Sequence, residues 1–164
     1  MFKTAVRAAT AAILATIAFT AAADSSVARS VNISGVFQEL VTPSATCASG
    51  LSGNLSGYGT SPELGRIAFL SSDCFSQNGP VFTFSNGKLV LTTVTGEVLF
   101  ANYGGQVLAT GEGTNGVLNG ATFQITGGTG KFKNATGGGT LSGTEDLATG
   151  RGALQLTGTI VYKD

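Results

Sequence analysis

Short runs of alternating apolar and polar residues follow one another along most of this chain, separated by turns rich in glycine, serine and asparagine. In the clearest run, 121–126, alanine, phenylalanine and isoleucine alternate with threonine and glutamine. Such alternation predicts a β-strand with one apolar and one polar face. Gly127, Gly128 and Gly130 end this run, because glycine reaches the backbone angles that a sharp corner needs.

The residues after these glycines predict one short helical turn and a second glycine break. Thr129 is a candidate cap for the turn, which brings Phe132 back over the core. The glycines at 137–139 then end this turn, and the next strand follows. We interpret the first three glycines and Phe132 as a structural corner that plugs one end of a closed sheet.

The same pattern predicts eight to ten strands joined by turns that are too short for parallel crossovers, so the sheet is antiparallel. Besides 121–126, the predicted strands are 31–38, 51–57, 64–75, 81–84, 88–94, 97–103, 106–113, 140–147 and 154–162. One apolar face per strand and no amphipathic helix leave two all-β architectures, a closed barrel or a two-layer sandwich. Glycines inside strands, at Gly35, Gly143 and Gly158, favour a closed antiparallel barrel of about eight strands, whose strands must bend.

Residues 1–23 have the pattern of an export signal. Lys3 and Arg7 precede an apolar run at 8–19, and three alanines at 21–23 provide a cleavage site. The run is shorter than the ~20 residues that span a bilayer. We therefore expect cleavage near Ala23, a single β-barrel domain at 24–164, no membrane span after signal removal, and a periplasmic or extracellular location.

The charge and cysteine content argue against two kinds of function, nucleic-acid binding and metal binding. Cleavage removes two of the nine basic residues and none of the nine acidic ones, so nothing favours nucleic acid as a partner. Cys47 and Cys74 are the two cysteines, and in an oxidising compartment such a pair predicts one disulfide. A metal site is disfavoured, because the spacing is not Cys-x-x-Cys and the chain has no histidine.

The corner sequence resembles a known family. Gly-Gly-Thr-Gly-Lys-Phe at 127–132 and Ala-Thr-Gly at 135–137 are similar to the corner of the allene oxide cyclase and dirigent barrels, and closest to their exported, mostly uncharacterised microbial relatives. Gly-x-Leu-x-Gly at 139–143 and Leu-x-Gly-x-Ile at 156–160 follow as in those proteins. The resemblance covers roughly 111–162. It implies an eight-stranded antiparallel barrel with an apolar interior, often trimeric in plants.

Few residue types are available for catalysis. Without histidine, triads and histidine acid–base chemistry are excluded. The glycine pattern at 111–116 fits a dinucleotide loop, but a strand follows it instead of a helix, so no cofactor is predicted. Tyr58, Glu97 and Tyr103 are the ligand-pocket candidates, although alternation places Glu97 on the face opposite its apolar neighbours.

Three functions follow from these patterns. The first is an exported, non-catalytic barrel that binds a small apolar molecule or assembles with copies of itself. The second is an allene oxide cyclase-like isomerase of an unsaturated lipid epoxide, which requires an inward carboxylate or tyrosine beside an apolar pocket. The third is a surface or adhesion-type structural protein, for which an extended sandwich with an exposed apolar edge is expected.

Overall fold

A computed structural model describes residues 26–163, which form a closed, all-β antiparallel barrel. Each strand pairs with the next one along the chain, and β8 pairs with β1 to close the sheet. The strands are β1 Val27–Pro43, β2 Leu51–Ser61, β3 Gly65–Asn78, β4 Val81–Thr93, β5 Val98–Ala109, β6 Asn115–Gly128, β7 Thr136–Asp146 and β8 Arg151–Tyr162. The predicted barrel is confirmed, and the sandwich is not formed.

The export signal predicted for residues 1–23 lies outside the described residues. Between residues 26 and 163, no helix has the length and apolar character that crossing a bilayer requires.

Strand alternation builds the core. Along β8, Leu156, Ile160 and Tyr162 point into the barrel and are at most 7% exposed, while Thr157 and Thr159 between them are exposed. Inward residues of the other strands form two adjoining apolar clusters, a large one and a smaller one of Phe84, Val107 and Ala121, with Tyr103 and Leu141 packed against both. The apolar faces seen in the sequence therefore converge on one interior.

Glycines inside the strands make room for aromatic rings. The Phe69 ring lies over Gly57, where a Cβ atom would be 2.6 Å from Phe69 Cε2. The Tyr103 ring lies over Gly87 in the same way. An eight-stranded barrel has room for its own side chains or for one small ligand, so large rings inside it need small neighbours. The interior glycines serve close packing as well as the predicted bending.

A one-turn 3₁₀ helix, Gly130–Phe132, follows β6 and closes one end of the barrel, which we call the plugged end. Phe132 is completely buried, and its ring centroid lies 5.0 Å from that of Tyr162. The predicted cap is wrong in one respect, since the Thr129 side chain makes no bond to the turn. Its Oγ1 accepts a hydrogen bond from the Val98 backbone N–H at 2.9 Å, which fastens the corner to β5.

Two breaks predicted between strands, at 85–87 and at 104–105, are wrong. The residues at 85–87 do not form a hairpin, because β4 runs through them with a β-bulge that shifts its register against β5. Asn86 absorbs the extra residue with a φ of 56°. Gly104 and Gly105 lie inside β5, where a Cβ on Gly105 would be 2.5 Å from Ala121 Cα. This glycine therefore marks a close approach of neighbouring strands.

The opposite end, which we call the open end, is formed where β1, β3, β5 and β7 finish and β2, β4, β6 and β8 begin. The predicted disulfide between Cys47 and Cys74 is confirmed here, with a Cα–Cα distance of 5.3 Å. It joins the β1–β2 loop to β3 at the residue next to Asp73.

Candidate functional site

An interior pocket lies at the open end of the barrel and has a volume of about 50 Å³. Its polar side chains all come from the odd-numbered strands: Glu39 on β1, Asp73 on β3, Tyr103 on β5 and Glu145 on β7. The even-numbered strands contribute only apolar side chains, namely Leu55, Phe84, Leu118 and Leu154. Phe37, Phe75, Val107 and Leu141 complete the lining. We call this site the acidic pocket.

Alternation explains why the three carboxyl groups point inward. Glu39 lies two residues after the buried Phe37, and Asp73 lies four residues after the buried Phe69, so each keeps the inward face of its strand. Glu145 lies four residues after Leu141, which also faces the pocket. These acids therefore occupy positions where the rest of the strand places apolar residues.

Tyr103 and Asp73 form the best-defined contact of the site. The Tyr103 hydroxyl lies 2.5 Å from Asp73 Oδ2, to which it donates, and 3.1 Å from Ser71 Oγ. Asp73 is only 5% exposed, and its other oxygen, Oδ1, is buried with no hydrogen-bond partner. Asp73 thus has one satisfied oxygen and one unsatisfied oxygen in an apolar surrounding, a costly arrangement for a folded protein.

Glu39 and Glu145 interact directly through a side-chain hydrogen bond. Gly53 on β2 lies beneath the carboxyl groups: a Cβ atom there would overlap Glu39 Oε1 and lie 2.8 Å from Asp73 Oδ1. Because Gly53 has no side chain, the carboxyl groups of Glu39 and Asp73 can both lie next to it.

Burial raises the pKa of all three acids. It raises the pKa of Glu39 to about 8, and the hydrogen bond and negative charge of Glu145 act in the same direction. The pKa of Glu145 is also raised, mainly by burial, although its hydrogen bond to Glu39 opposes the shift.

The pKa of Asp73 rises to about 6, first because of burial and then because of the charge of Glu39, against the opposing effects of the Tyr103 hydroxyl and of the Gly53 backbone N–H. The pKa of Tyr103 is also raised, first by burial and then by the charge of Asp73. Near neutral pH the pocket therefore offers a protonated carboxyl at Glu39 and a carboxylate at Asp73.

The three residues singled out from the sequence lie in three different places. Tyr103 lines the acidic pocket. Tyr58 is on the outer surface and 70% exposed, because it pairs with the outward-facing Val36. Glu97 lies at the plugged end, where its Oε2 is 3.4 Å from Lys131 Nζ and its Oε1 accepts the Lys131 backbone N–H at 3.2 Å. Neither Tyr58 nor Glu97 is among the residues that line the pocket.

Sequence reasoning missed Glu39, Asp73 and Glu145. The signal was present, since continuing the alternation of Phe37 and Phe69 by two and four residues reaches Glu39 and Asp73. Their convergence was not visible, because it depends on the registers of β1 with β2 and of β2 with β3. Within residues 26–163, no three ligating side chains are close enough to bind a metal ion.

Comparison with known proteins gives one informative likeness. No family model matches the sequence, and no curated protein matches it. The structure is similar to that of a pterocarpan synthase dirigent protein, with a TM-score of 0.51 and 12% sequence identity over 92% of this chain and 98% of that one. At this identity the likeness concerns the fold. It supports the dirigent side of the resemblance seen in the corner sequence, whereas the allene oxide cyclase side stays a prediction.

Proposed function

We propose that this protein is an exported barrel that binds a small, mostly apolar molecule in the acidic pocket without transforming it. The observation that carries the proposal is the group formed by the buried Asp73 and Glu145 with the half-buried Glu39 and Tyr103 inside an apolar wall. Buried acids lower the stability of a fold, and perturbed acids in a cavity are typical of functional sites. A few polar groups within an apolar lining are also typical of small-molecule sites.

Export is supported by the disulfide between Cys47 and Cys74, since disulfides form and persist in oxidising compartments. The dirigent-like barrel agrees with this location. The proposed compartment is the periplasm or the extracellular medium.

Native mass spectrometry of the protein from its own host tests the proposal. We expect a retained small molecule with the wild-type chain and its loss from Leu118→Trp, which fills the half-buried rim of the pocket. Val117→Trp is the matched control, because Val117 is the next residue on the same strand and is 43% exposed on the outer face. Equal retention by both variants would place the molecule elsewhere and contradict the proposal.

A second candidate function, isomerisation of an unsaturated lipid epoxide, is favoured by one observation. Tyr103 and two acids of different protonation state lie together beside an apolar wall, as such an enzyme would require. The Glu39 carboxyl would protonate the epoxide oxygen as its C–O bond breaks, and Asp73 would accept a proton from carbon, so the isomerisation is balanced.

Turnover of an allylic fatty-acid epoxide tests this candidate. Glu39→Gln is expected to lower the rate by about 10²–10⁴-fold, the usual contribution of a general acid. Glu112→Gln, on an exposed loop, is expected to leave the rate unchanged. If the wild-type protein does not turn over the epoxide, the isomerase function is refuted and only the binding function remains. The adhesion-type function has lost its expected support, because the closed sheet has no free edge strand.

Self-association is a further part of the proposal. The outer face of β1 to β5 exposes apolar side chains in neighbouring rows, namely Val36, Tyr58, Leu70 and Phe100. Val36 and Tyr58 form a ridge between two surface grooves that are floored by Gly35 and Gly59 on one side and by Gly57 and Gly152 on the other. A twofold contact between copies would bring the ridge of one copy against a groove of the other.

Light scattering after size exclusion tests this contact. We expect the wild-type protein to have a multiple of the monomer mass, and Tyr58→Asp to reduce that mass. Thr157→Asp is the control, since Thr157 is exposed on the polar outer face of β8. A wild-type monomer at high concentration would refute self-association.

A further inference from the structure

The acidic pocket contains three carboxyl groups and no side chain that neutralises them. Its lining, as the described part of the chain forms it, includes no lysine or arginine. Arg151 is the basic residue that begins β8 at this end, and its Nε points to Gln38 Oε1 on the exposed face, at 3.4 Å. Buried carboxylates without a cation are costly, so the isolated pocket is electrostatically incomplete.

One oxygen of the pocket points to a missing donor. Asp73 Oδ1 is buried and has no hydrogen-bond partner, although Oδ2 of the same residue is bonded to Tyr103. Asp73 is 95% removed from solvent. A buried acceptor of this kind is normally satisfied by protein, water or ligand. Because Asp73 lines the acidic pocket, a ligand bound there is a suitable donor.

The walls of the pocket suit an organic cation better than a metal ion. No group of three metal-ligating side chains occurs in the part of the chain that the structure describes. Aromatic rings of Phe37, Phe84 and Tyr103 line the pocket, and such rings attract alkylammonium groups. A volume of about 50 Å³ exceeds the ~10–15 Å³ that one water needs, so an ammonium group and its first carbon atoms fit inside. The remaining apolar part would lie at the rim against the half-buried Leu118 and Leu154.

We infer that the ligand of the acidic pocket is a primary amine with an apolar body, whose ammonium group lies between Asp73 and Glu39 and donates to Asp73 Oδ1. This inference rests on the proposed binding function and names its ligand class. An ammonium group has three donors and one positive charge. It therefore supplies the hydrogen-bond donor that Oδ1 lacks and the positive charge that the carboxyl groups lack. A neutral alcohol of the same shape supplies a donor but no charge.

The ionisation of the pocket gives the inference a pH dependence. The titratable groups that face the ligand are Glu39, Asp73, Glu145 and Tyr103, and the even-numbered strands add none within the described residues. Near pH 5, Asp73 and Glu39 are largely protonated; above pH 7, Asp73 is ionised and Glu39 begins to ionise. An amine stays protonated over this range, so its affinity should increase as the pH rises.

A matched pair of probes tests the inference: phenethylamine and 2-phenylethanol, titrated into the full chain by calorimetry or NMR. At about pH 7.5 we expect the amine to bind at least about tenfold more tightly than the alcohol, and at about pH 5 we expect this ratio to shrink severalfold. Asp73→Asn is expected to remove most of the preference while the alcohol still binds. Glu112→Gln, on the exposed loop before β6, is expected to change neither value.

The outcomes separate the inference from the function on which it rests. Equal binding of the two probes at both pH values would leave the binding function intact and overturn the amine. A preference for the amine that persists in Asp73→Asn would also overturn it, because the cation would then bind elsewhere. If neither probe perturbs the pocket at millimolar concentration and no molecule is retained from the host, the inference and the binding function both fall.

Discussion

At the scale of single residues, this barrel departs from its own packing rule at a few positions. Glu39, Asp73 and Glu145 occupy inward sites that elsewhere hold phenylalanine, leucine or isoleucine. Gly53 accommodates two of these acids, and Tyr103 satisfies one oxygen of Asp73. Acids in such places lower stability, and this cost is the physical reason to assign them a function.

The contribution of the Tyr103 hydroxyl to stability can be tested by removing this group. Tyr103→Phe deletes the donor to Asp73 Oδ2, and a hydrogen bond to a charged group contributes about 1.5–3 kcal/mol. We therefore expect the free energy of unfolding at pH 8 to fall by about 2 kcal/mol, and by less at pH 5, where Asp73 is largely protonated. The same change should raise the pKa of Asp73 further, because the hydrogen bond from Tyr103 lowers it.

Urea denaturation at both pH values measures this difference. Tyr58→Phe is the matched control, because it removes the same hydroxyl from a side chain that is 70% exposed. Equal losses of stability at pH 5 and pH 8 would mean that the hydroxyl does not act on the charged form of Asp73.

At the scale of elements, rings and glycines on neighbouring strands are packed as pairs. Phe69 on β3 fills the space over Gly57 on β2, and Tyr103 on β5 fills the space over Gly87 on β4. The bulge in β4 lies directly beside the second pair, and it shifts register between Phe84 and Gly87. Local irregularity and close packing thus occur together on the strands that position the pocket.

Gly57→Ala tests this pairing. The new Cβ atom would overlap the Phe69 ring and approach the Val36 carbonyl oxygen, and overpacking of this kind costs about 1–3 kcal/mol. Gly104→Ala is the control within the same sheet, because its nearest atom, Phe84 O, is 3.4 Å away. Thermal unfolding should show a clear drop in Tm for the first variant and a small change for the second. A similar Tm for both would show that the ring adjusts freely.

Sequence periodicity predicted much of this fold and little of its site. Alternation, the glycine corner and Phe132 were sufficient for a closed antiparallel sheet, and two cysteines were sufficient for the disulfide. The break predicted between the strands at 81–84 and 88–94 is a bulge at Asn86, because asparagine followed by glycine has the same local signature in a bulge and in a hairpin turn. A bulge is distinguished from a turn only by the pairing partner, which lies far away in the chain.

The candidate site was harder to predict for the same reason. Tyr103 was recognised as a residue type, but its partner Asp73 is 30 residues away, on a strand that is not its neighbour in the sheet. Glu39 and Glu145 meet across β8, which lies between β7 and β1. Such contacts cross the inside of the barrel and are set by strand tilt and register, which no short stretch of sequence encodes.

At the scale of the whole molecule, Phe132 closes one end of the barrel, while the other end contains the acids whose pKa values are raised. Other carboxyl groups, at the plugged end and at the surface, have lowered pKa values. Hydrogen bonds and Lys131 lower the pKa of Glu97, and hydrogen bonds lower the pKa of Asp146. These two sets of carboxyl groups make stability depend on pH in opposite directions.

We expect the free energy of unfolding to be greatest near pH 5. As the pH rises from there, the unfolded chain loses protons that Asp73 and Glu39 keep in the fold up to about pH 6 and about pH 8, so stability falls through this window. As the pH falls below about 4, Glu63, Glu97 and Asp146 become protonated and their contribution is lost.

Denaturant titrations across this pH range measure the profile. We expect a loss of about 2–4 kcal/mol between pH 5 and pH 8, since one pKa unit corresponds to about 1.4 kcal/mol. Glu39→Gln should flatten that limb, whereas Glu112→Gln should not. Stability that is constant or increasing from pH 5 to pH 8 would contradict the burial of these acids.

The pairing of β8 with β1 has a practical consequence. Val27 and Tyr162 are register partners, and both lie at the end of the barrel that Phe132 closes. A tag, surface anchor or fluorescent protein attached before β1 or after β8 would therefore sit at the far side from Asp73 and Tyr103. Immobilising the chain through either attachment should therefore leave the open end and its acidic pocket facing the solvent.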